Sequence, residues 1–332
     1  MKAMALFAPA PAEENPLKLV DLALPEPQAG QILIDVDVCG VCHTDLHTAE
    51  GEIHPAHLPV VPGHQAVGRV VQIGRGVEKF KAGDRAGVPW LYSADRVCSF
   101  CQRGEENLCP QARFTGFHVN GGYAQYLLAE ADYALPVPDE LSTEQAAPLL
   151  CAGIIGLRSL RKADLQPGER LGLFGFGASA HLAIQIARYW GCEVAVFTRA
   201  EAHRRHALDL GAAWAGDAAE DGPFPLDRAV LFAPVGRLVP LALERIRPGG
   251  TVAINAIHLS PIPEMPYATI YGERTLRSVA NATYQDGLDL LDLALKIPLH
   301  STINVYPLEG ANQALQDLKA SRFNGEAVLQ VM

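Results

Sequence analysis

Hydrophobic residues in the first 150 positions occur in short runs, which clusters of Pro, Gly and Asp separate from one another. Two clear examples are Ile32 to Val38 and Val67 to Ile73. Such runs predict short strands joined by irregular loops, so residues 1–150 are expected to form a mostly-β domain. Met1 to Ala12 carries one Lys among apolar and small residues. Its apolar core is too short for a signal peptide, and we interpret it as the first strand.

The pattern changes after Cys151 to an alternation of strand-like and helical segments. Arg170 to Phe174 and Glu193 to Thr198 are strand-like, and Ala180 to Trp190 between them has helical periodicity. This order predicts a βαβ unit. The alternation continues through the apolar run Ala229 to Ala233, the helical stretch Leu238 to Ile246, the turn Pro248-Gly249-Gly250 and the strand-like run Thr251 to Ile257. A parallel sheet with crossover helices is the expected arrangement.

The last part of the chain returns to β character. Helical patterns at Asp286 to Lys296 and at Glu309 to Ala320 precede a strand-like run, Ala327 to Val331. Because that run resembles the strands of the first half, the tail is expected to rejoin the first domain. The predicted fold class is α/β, with domains at residues 1–150, 151–284 and 285–332.

Composition narrows the choice of function classes. The 332 residues are 49% hydrophobic and 19% charged, which is typical of a globular protein, and the net charge is −10. No basic run is present, so a nucleic-acid partner is not expected. The longest uncharged stretch, Leu171 to Ala187, is too short to span a bilayer. Seven cysteines, an odd number in a long chain, favour metal ligation in a reducing cytoplasm over disulfides.

A phosphate-binding turn is predicted between the strand and the helix of the βαβ unit. Gly175, Gly177 and Ala180 form the pattern G-x-G-x-x-A. The first Gly permits a tight turn, the second allows the backbone to approach a pyrophosphate, and the small Ala lets the helix pack closely on the sheet. The alternative is an ordinary glycine-rich turn of an α/β domain.

The end of the next strand bears on the choice of nucleotide. An acidic residue there would accept the ribose 2′-hydroxyl of NAD, but Thr198 and Arg199 occupy these positions. The missing carboxylate removes repulsion against a 2′-phosphate, and an Arg can pair with that group. The sequence therefore favours NADP over NAD.

Two groups of residues have the composition of metal sites. Cys42, His64 and Cys151 offer two thiols and one imidazole, which would make a three-ligand zinc site with an open position. The second group is Cys98, Cys101 and Cys109 in a polar loop, with Asp95 at the spacing of a fourth ligand of a closed structural zinc. The alternatives are a buried thiol at Cys151 and an exposed carboxylate at Asp95.

Together these residues resemble the zinc-dependent alcohol dehydrogenases of the medium-chain dehydrogenase/reductase superfamily. The resemblance covers essentially the whole chain. It is carried by the segments at 40–47 (GVCHTDLH), 63–64 (GH), 95–109, 149–153 (LLCAG) and 175–180 (GFGASA). It implies a GroES-like catalytic domain built from both chain ends, a Rossmann domain with a doubly wound parallel sheet between them, and a homodimer or homotetramer.

The resemblance also implies roles for single residues. Cys42, His64 and Cys151 resemble the ligands of the catalytic zinc. Thr44 corresponds to the hydroxyl that receives the substrate proton and passes it, through the cofactor ribose, to His47 and bulk water. The remaining positions are Asp45, which would orient the imidazole of His64, His43, which would face the cofactor pyrophosphate, and Trp90, which would line the substrate pocket.

Three further positions depart from the family pattern. Gln65 stands where the family commonly has Glu after the zinc-binding His, so a carboxylate that assists ligand exchange is replaced by a neutral amide. Ile155 occupies a position where a hydroxyl residue often contacts the nicotinamide. Glu326 lies near the position of a basic residue that often meets the pyrophosphate.

The expected function is zinc-dependent hydride transfer between NAD(P) and a small alcohol or aldehyde, which Thr44 and Trp90 suggest is primary and apolar. Zinc lowers the pKa of a bound oxygen, which makes an alcohol a hydride donor near neutral pH. Two zinc ions are expected per chain. The alternatives are a polyol or formaldehyde dehydrogenase of the same family and, from another class, a zinc- and nucleotide-binding sensor or interaction protein that transfers no hydride.

Overall fold

The computed structural model describes residues 1–331 of the chain. Its strands are β1 (Lys2–Leu6), β2 (Leu17–Asp21), β3 (Gln31–Val41), β4 (Ala66–Ile73), β5 (Arg85–Val88), β6 (Leu91–Ser93), β7 (Arg113–Phe114), β8 (Tyr126–Glu130), β9 (Leu135–Pro136), β10 (Arg170–Phe174), β11 (Glu193–Phe197), β12 (Trp214–Gly216), β13 (Leu226–Leu231), β14 (Ile246–Ile254), β15 (Thr275–Ser278), β16 (Ile303–Pro307) and β17 (Glu326–Gln330). Its helices are α1 (His43–Glu50), α2 (Ser99–Gln102), α3 (Thr143–Pro148), α4 (Ile154–Lys162), α5 (Ala178–Tyr189), α6 (Glu201–Asp209), α7 (Leu238–Arg245), α8 (Tyr267–Ile270), α9 (Tyr284–Lys296) and α10 (Ala311–Lys319).

The chain divides into two compact units. The first unit comprises Met1–Cys151, Asn281–Lys296 and Ser301–Met332, and the second comprises Ala152–Ala280 and Ile297–His300. The predicted fold class is confirmed, since one unit is built on a mostly antiparallel sheet and the other on a parallel one. No helix among residues 1–331 is both long enough and apolar enough to cross a membrane.

The first unit is organised around β3, a long strand that is buried along most of its length. The sheet order is β16-β17-β3-β4-β5-β9, and β8 also pairs with β3. The strand β17 lies antiparallel to the end of β3, so the tail of the chain joins the sheet formed by its beginning. Side chains from both ends of the chain, such as Leu6 and Leu329, share one hydrophobic core. This arrangement holds the end of β3, and the residues that follow it, in a fixed position.

The second unit contains a six-stranded, all-parallel sheet in the order β12-β11-β10-β13-β14-β15. Numbered within this unit, the order is 3-2-1-4-5-6, which is the doubly wound arrangement of Rossmann domains. The first two strands, β10 and β11, are buried at all positions except their first residues, as expected for strands covered on both faces. The carboxyl end of β10 leads into the glycine-rich turn and α5.

Most predicted elements begin and end within three residues of the observed ones, and two differences at the start of an element have a structural reason. The predicted turn Pro248-Gly249-Gly250 lies inside β14, where a shift in register against β13 accommodates it as an irregularity of the strand. The helix predicted from Glu309 instead begins with a 3-10 turn over Leu308–Gly310, and its α-helical part starts at Ala311. In both cases the local pattern was right and the position at which the element begins was wrong.

Candidate active site and metal-ligand clusters

Three side chains from separate parts of the first unit converge on one point. Cys42 follows β3 and caps α1, His64 lies in the loop before β4, and Cys151 lies in a π-helical turn over Leu149–Gly153. One ligand atom from each residue lies within 4.8 Å of the others. The two sulfur atoms, Sγ of Cys42 and Sγ of Cys151, are 3.8 Å apart. The π-helical turn is of a kind found often at functional sites.

The chemistry and spacing of these atoms fit a zinc ion. Two sulfurs that each lie about 2.3 Å from one tetrahedral zinc are about 3.8 Å apart, which is the observed separation. Two thiolates and one imidazole are a donor set that zinc favours, and three protein ligands leave a fourth position open. Cys42, His64 and Cys151 would therefore hold a zinc ion with room for one exchangeable ligand.

Asp45 is buried beside this cluster and contacts two of its members. Its Oδ2 accepts the backbone N–H of Cys42 at 2.9 Å, which closes the first turn of α1 as a capping box. Its Oδ1 accepts the backbone N–H of Gly63 at 2.9 Å and lies 3.2 Å from Nδ1 of His64. The hydroxyl of Tyr123 donates to Oδ2 at 3.2 Å. Asp45 therefore orients both Cys42 and the loop that carries His64.

Charge and burial change the proton affinity of the ligands in the metal-free protein. Burial acts to lower the pKa of His64, but Asp45 and the sulfur of Cys42 outweigh it and raise the pKa to about 10. The hydrogen bond between the two thiols lowers the pKa of Cys42 and raises that of Cys151. Cys42 is therefore the thiol that ionises first, and a divalent cation would have to displace the proton of Cys151.

Three candidate residues follow Cys42 on helix α1. Oγ1 of Thr44 lies 3.8 Å from Sγ of Cys42, and the imidazoles of His43 and His47 are 6.2 Å apart between ring centroids. Thr44 and His47 are three residues apart on the helix and so share one face of it. His43 is exposed to solvent. The helix thus carries a hydroxyl at the metal cluster and an imidazole one turn further away.

Trp90 contacts the imidazole of His64 at 4.8 Å between ring centroids, edge to face. The other side of its indole stacks on Phe114 at 5.1 Å and meets Phe117 at 5.7 Å. The structure therefore places Trp90 against a candidate metal ligand, within an aromatic group that the sequence alone did not reveal. These rings form an apolar wall beside the cluster.

Two of the positions that depart from the family pattern lie on one face of the sheet next to the cluster. Gln65 is fully buried opposite Gly40, and neither of its amide atoms has a hydrogen-bond partner among residues 1–331. A β-carbon at Gly40 would lie 2.5 Å from Oε1 of Gln65, so only glycine leaves room for this amide. Glu326, the first residue of β17, is also buried, and burial raises the pKa of its carboxyl well above the usual range.

The third departure, Ile155, lies one turn into the second unit, on α4. It is partly exposed, and its backbone carbonyl accepts the hydroxyl of Ser159 at 2.7 Å. Its side chain has no hydroxyl to offer a cofactor.

The second cluster brings together Asp95, Cys98, Cys101 and Cys109, with ligand atoms all within 4.8 Å of one another. Cys98 caps the short helix α2, and Cys109 follows a 3-10 turn. Four donors at this spacing fit a closed tetrahedral zinc site. The sequence pattern named these four residues, and the structure brings all four together.

Asp95 is held in place by its own loop. Its Oδ1 accepts the backbone N–H groups of Cys98 and Val97, each at 2.9 Å, and these bonds lower the pKa of the carboxyl. The carboxylate is therefore ionised and oriented without a metal. One of its oxygens serves the loop, which leaves the other as the oxygen available to a cation.

The predicted phosphate-binding turn joins β10 to α5 in the second unit. Gly175 has a φ of +94°, and a β-carbon there would lie 2.7 Å from the backbone nitrogen of Ala233, so the turn requires glycine. Gly177 has nothing within 4 Å of its missing β-carbon, and Ala180, in the first turn of α5, is fully buried. An open backbone at the start of a twelve-residue helix is the arrangement that binds a pyrophosphate.

The end of β11 carries the residues that bear on nucleotide choice. Thr198 is buried, and Arg199 is exposed. Nε of Arg204, on α6, donates to the backbone carbonyl of Thr198 at 2.9 Å, which places a second guanidinium beside this strand end. Sequence reasoning missed Arg204 and also missed Tyr123. Neither residue could be found from a local pattern. Arg204 matters because α6 brings it to the end of β11, and Tyr123 because the fold brings its hydroxyl to Asp45.

Comparison with known proteins agrees with the geometry. The family model described as the alcohol dehydrogenase GroES-like domain matches residues 28–139. A probable alcohol dehydrogenase of Mycobacterium tuberculosis is 45% identical over 337 residues, covering 100% of this chain and 97% of the relative. Among solved structures, a cinnamyl alcohol dehydrogenase of Sorghum bicolor matches with a TM-score of 0.91 at 29% identity, covering 99% of this chain and 97% of that one. The enzyme from Helicobacter pylori described as CAD, complexed with NADP(H), matches with a TM-score of 0.89 at 25% identity, covering 99% and 97%.

Proposed function

We propose, from the premise that the chain belongs to the zinc-type medium-chain alcohol dehydrogenase family, that it interconverts small primary alcohols and aldehydes by hydride exchange with NADP or NAD. That the protein is an alcohol dehydrogenase-type oxidoreductase follows from its relatives. The zinc dependence, the nucleotide and the substrate class are the proposed part.

The observation that supports zinc dependence is the convergence of Cys42, His64 and Cys151. Their two sulfurs have the separation that a shared tetrahedral zinc would impose. A zinc ion at an open three-ligand site acts as a Lewis acid that lowers the pKa of an alcohol oxygen and polarises a carbonyl. A protein that bound zinc only for stability would have closed the fourth position with another side chain.

Residues of the chain transfer the proton and orient the ligands. The hydroxyl of Thr44 lies at the cluster, where it can take the proton of an alcohol that loses a hydride. His47, on the same face of α1, is the base through which that proton leaves the site. Asp45 acts on the ligands and not on the substrate, because its oxygens are used by Cys42, Gly63 and His64.

The aromatic wall supports the proposed substrate class. Trp90, Phe114 and Phe117 contact one another, and Trp90 also contacts the imidazole of His64. These rings offer apolar surface and no charge to a substrate. They favour an uncharged, apolar group on the alcohol over the hydroxyl-rich chain of a polyol.

The cofactor preference that we propose is NADP. No carboxylate follows β11 at Thr198 and Arg199, so the exposed guanidinium of Arg199 is the positive charge offered at this strand end. The guanidinium of Arg204 also lies there, but it is 3.8 Å from the carboxylates of Asp217 and Glu220, which offset its charge. Positive charge favours the 2′-phosphate that distinguishes NADP from NAD. The Helicobacter pylori neighbour was solved with NADP(H), which agrees with this choice.

We further propose two zinc ions per chain, a homodimer or homotetramer and a cytoplasmic location. All seven cysteines are free thiols, and five of them, Cys42, Cys98, Cys101, Cys109 and Cys151, are potential ligands in the two clusters. A reducing compartment keeps such thiols available to metal. Light scattering on the purified protein would measure the oligomeric state.

A steady-state screen tests the proposed function. Small alcohols and aldehydes are supplied with NADP or NAD, before and after removal of metal by a chelator, and nicotinamide absorbance is followed. We expect turnover of a primary alcohol or its aldehyde, loss of that turnover on chelation, and recovery with zinc. A chain that keeps zinc and nucleotide but transfers no hydride to or from any of these substrates would be a sensor or interaction protein instead.

A further inference from the structure

His47 and Glu52 form a contact that no sequence pattern pointed to. Nδ1 of His47 and Oε2 of Glu52 are hydrogen-bonded to each other. The side chain of His47 is 23% exposed and that of Glu52 is 54% exposed, so the pair lies where α1 meets solvent. Because the contact involves the proposed base of the reaction, its geometry bears on how the proton leaves.

The end of helix α1 builds this pair. Gly51 has a φ of +79°, and its backbone N–H donates to the carbonyl of Thr48 at 3.2 Å. The backbone N–H of Glu52 donates to the carbonyl of His47 at 2.9 Å. These two bonds are the Schellman motif, in which a left-handed residue turns the chain back over the last turn of the helix. The motif places the side chain of Glu52 directly over that of His47.

Glycine at position 51 is required for this turn. A β-carbon there would lie 2.9 Å from Cβ of Pro9, and the left-handed conformation also disfavours other residues. The sequence His47-Thr48-Ala49-Glu50-Gly51-Glu52 therefore fixes both the helix end and the side-chain pair. His47 and Glu52 are joined twice, once through the backbone and once through their side chains.

The side-chain bond decides which nitrogen of the imidazole carries the proton. An ionised carboxylate only accepts hydrogen bonds, so Nδ1 of His47 must be the protonated nitrogen. Nε2 then carries the lone pair and is free to accept a proton. An imidazole without this partner would divide between two tautomers, and one of them has no lone pair on Nε2.

We infer that Glu52 is a positioning residue for proton release: it holds His47 as the Nδ1–H tautomer so that Nε2 accepts the proton that leaves by way of Thr44. The inference rests on the proposed function, in which His47 is the base. The proton bonds to Nε2, and the resulting imidazolium keeps its Nδ1–H bond to the Glu52 carboxylate as counter-ion. The imidazolium then returns a proton to bulk water, so the residues end as they began.

The test compares Glu52→Gln with Glu52→Asp in the zinc-loaded enzyme. An amide can present its N–H to Nδ1 and so favour the other tautomer, whereas Asp keeps an acceptor-only group. We expect kcat for alcohol oxidation to fall about tenfold in Glu52→Gln with KM little changed, and to recover to within about threefold of wild type in Glu52→Asp. Glu140→Gln removes one exposed carboxylate elsewhere and serves as the charge-matched control.

The tautomer itself is read without turnover, by long-range ¹H–¹⁵N NMR on histidine-labelled protein, with His47 assigned from a His47→Asn sample. We expect a single Nδ1–H tautomer in wild type and in Glu52→Asp, and a changed pattern in Glu52→Gln. An unchanged His47 tautomer in Glu52→Gln overturns the inference, whatever the activity. If the tautomer changes in Glu52→Gln while kcat does not, Glu52 has no role in proton release and the inference is likewise overturned. A wild-type protein that holds the tautomer but transfers no hydride would instead refute the proposed function.

Discussion

Oδ1 of Asp45 lies 3.2 Å from Nδ1 of His64, and the other oxygen of the same carboxylate holds the backbone of Cys42. One buried side chain thereby contacts two candidate ligands that are 22 positions apart in the sequence. The capping box of α1 is thus part of the metal cluster as well as of the helix.

We expect Asp45→Asn to weaken zinc binding at the catalytic cluster about tenfold to a hundredfold. The substitution removes the negative charge that faces His64. It also replaces one carboxylate oxygen by an NH2 group, so a backbone N–H that now donates to Asp45 would lose its acceptor. Competition with a chromophoric chelator measures the affinity. Asp21→Asn, at an exposed position on β2, is the control and should bind zinc like wild type. Equal affinities for Asp45→Asn and wild type would remove Asp45 from its orienting role.

The two metal clusters should respond differently to the loss of a thiol. Cys42→Ala should lose the catalytic zinc and all activity, because two ligands cannot hold the ion with an open position. Cys101→Ala should also bind one zinc fewer, but its main effect should be a lower Tm or impaired assembly. Metal analysis together with thermal unfolding separates the two effects.

Cys192→Ala is the matched control for this pair, since Cys192 is a buried free thiol outside both clusters. It should retain two zinc ions per chain. Zinc loss in Cys101→Ala with an unchanged Tm would show that the second site is not structural.

The cofactor prediction concerns Arg199. Arg199→Asp should shift the ratio of kcat/KM for NADP to that for NAD by about tenfold towards NAD, because a carboxylate repels the 2′-phosphate and can accept the 2′-hydroxyl. Arg75→Asp makes the same charge change at an exposed position of the first unit and should leave the ratio unchanged. A ratio that stays constant in Arg199→Asp would contradict the assignment of this position to the nucleotide.

The stability of the protein should depend on pH through His181, a buried residue of α5. Burial lowers the pKa of His181 to about 4 in the folded chain, whereas an unfolded histidine titrates near 6.5. Between these values the unfolded state binds the extra proton, so the free energy of unfolding is full above about pH 6.5 and declines as pH falls towards 4. The contribution of this one group is about 3 kcal/mol across that window.

Denaturant unfolding of wild type and of His181→Gln, at several pH values between 4 and 7, measures this dependence. The variant should show a shallower decline than wild type. His54→Gln, at an exposed position, should follow the wild-type curve. Parallel curves for wild type and His181→Gln would assign the acid sensitivity to other groups.

Much of this fold could be predicted from the sequence because its signals are local. The buried strands β10 and β11 are continuous apolar runs, and Gly175 is demanded by a turn whose conformation only glycine adopts readily. The predicted strand Arg170–Phe174 coincides with the observed one. The place of the Pro248 turn inside a strand could not be predicted locally, since it depends on pairing with β13 at Ile246 before the turn and again from Thr251 after it.

In the candidate site, too, some residues could be predicted from the sequence and others could not. Its candidate ligands could be predicted from the sequence, because thiols and imidazoles are uncommon in polar loops and have the chemistry of metal ligands. The supporting residues do not: Tyr123 and Arg204 act through contacts made by tertiary folding, and Glu52 acts through a helix end whose geometry depends on Gly51. Common residue types carry these roles, and only their neighbours distinguish them.

The space left by the missing side chain of Gly40 lies on a face of the sheet that positions 65 and 326 share. Gln65, the residue before β4, lies opposite Gly40 of β3. Val328 of β17 pairs with Gly40 from the other side, so Glu326, two residues earlier, shares the face of the sheet that holds the amide. Restoring the family's glutamate at position 65 alone would bring a second carboxyl to a dry face that already holds one. Gln65→Glu should therefore be better tolerated together with Glu326→Gln than alone, and thermal unfolding of the single and double variants measures the difference.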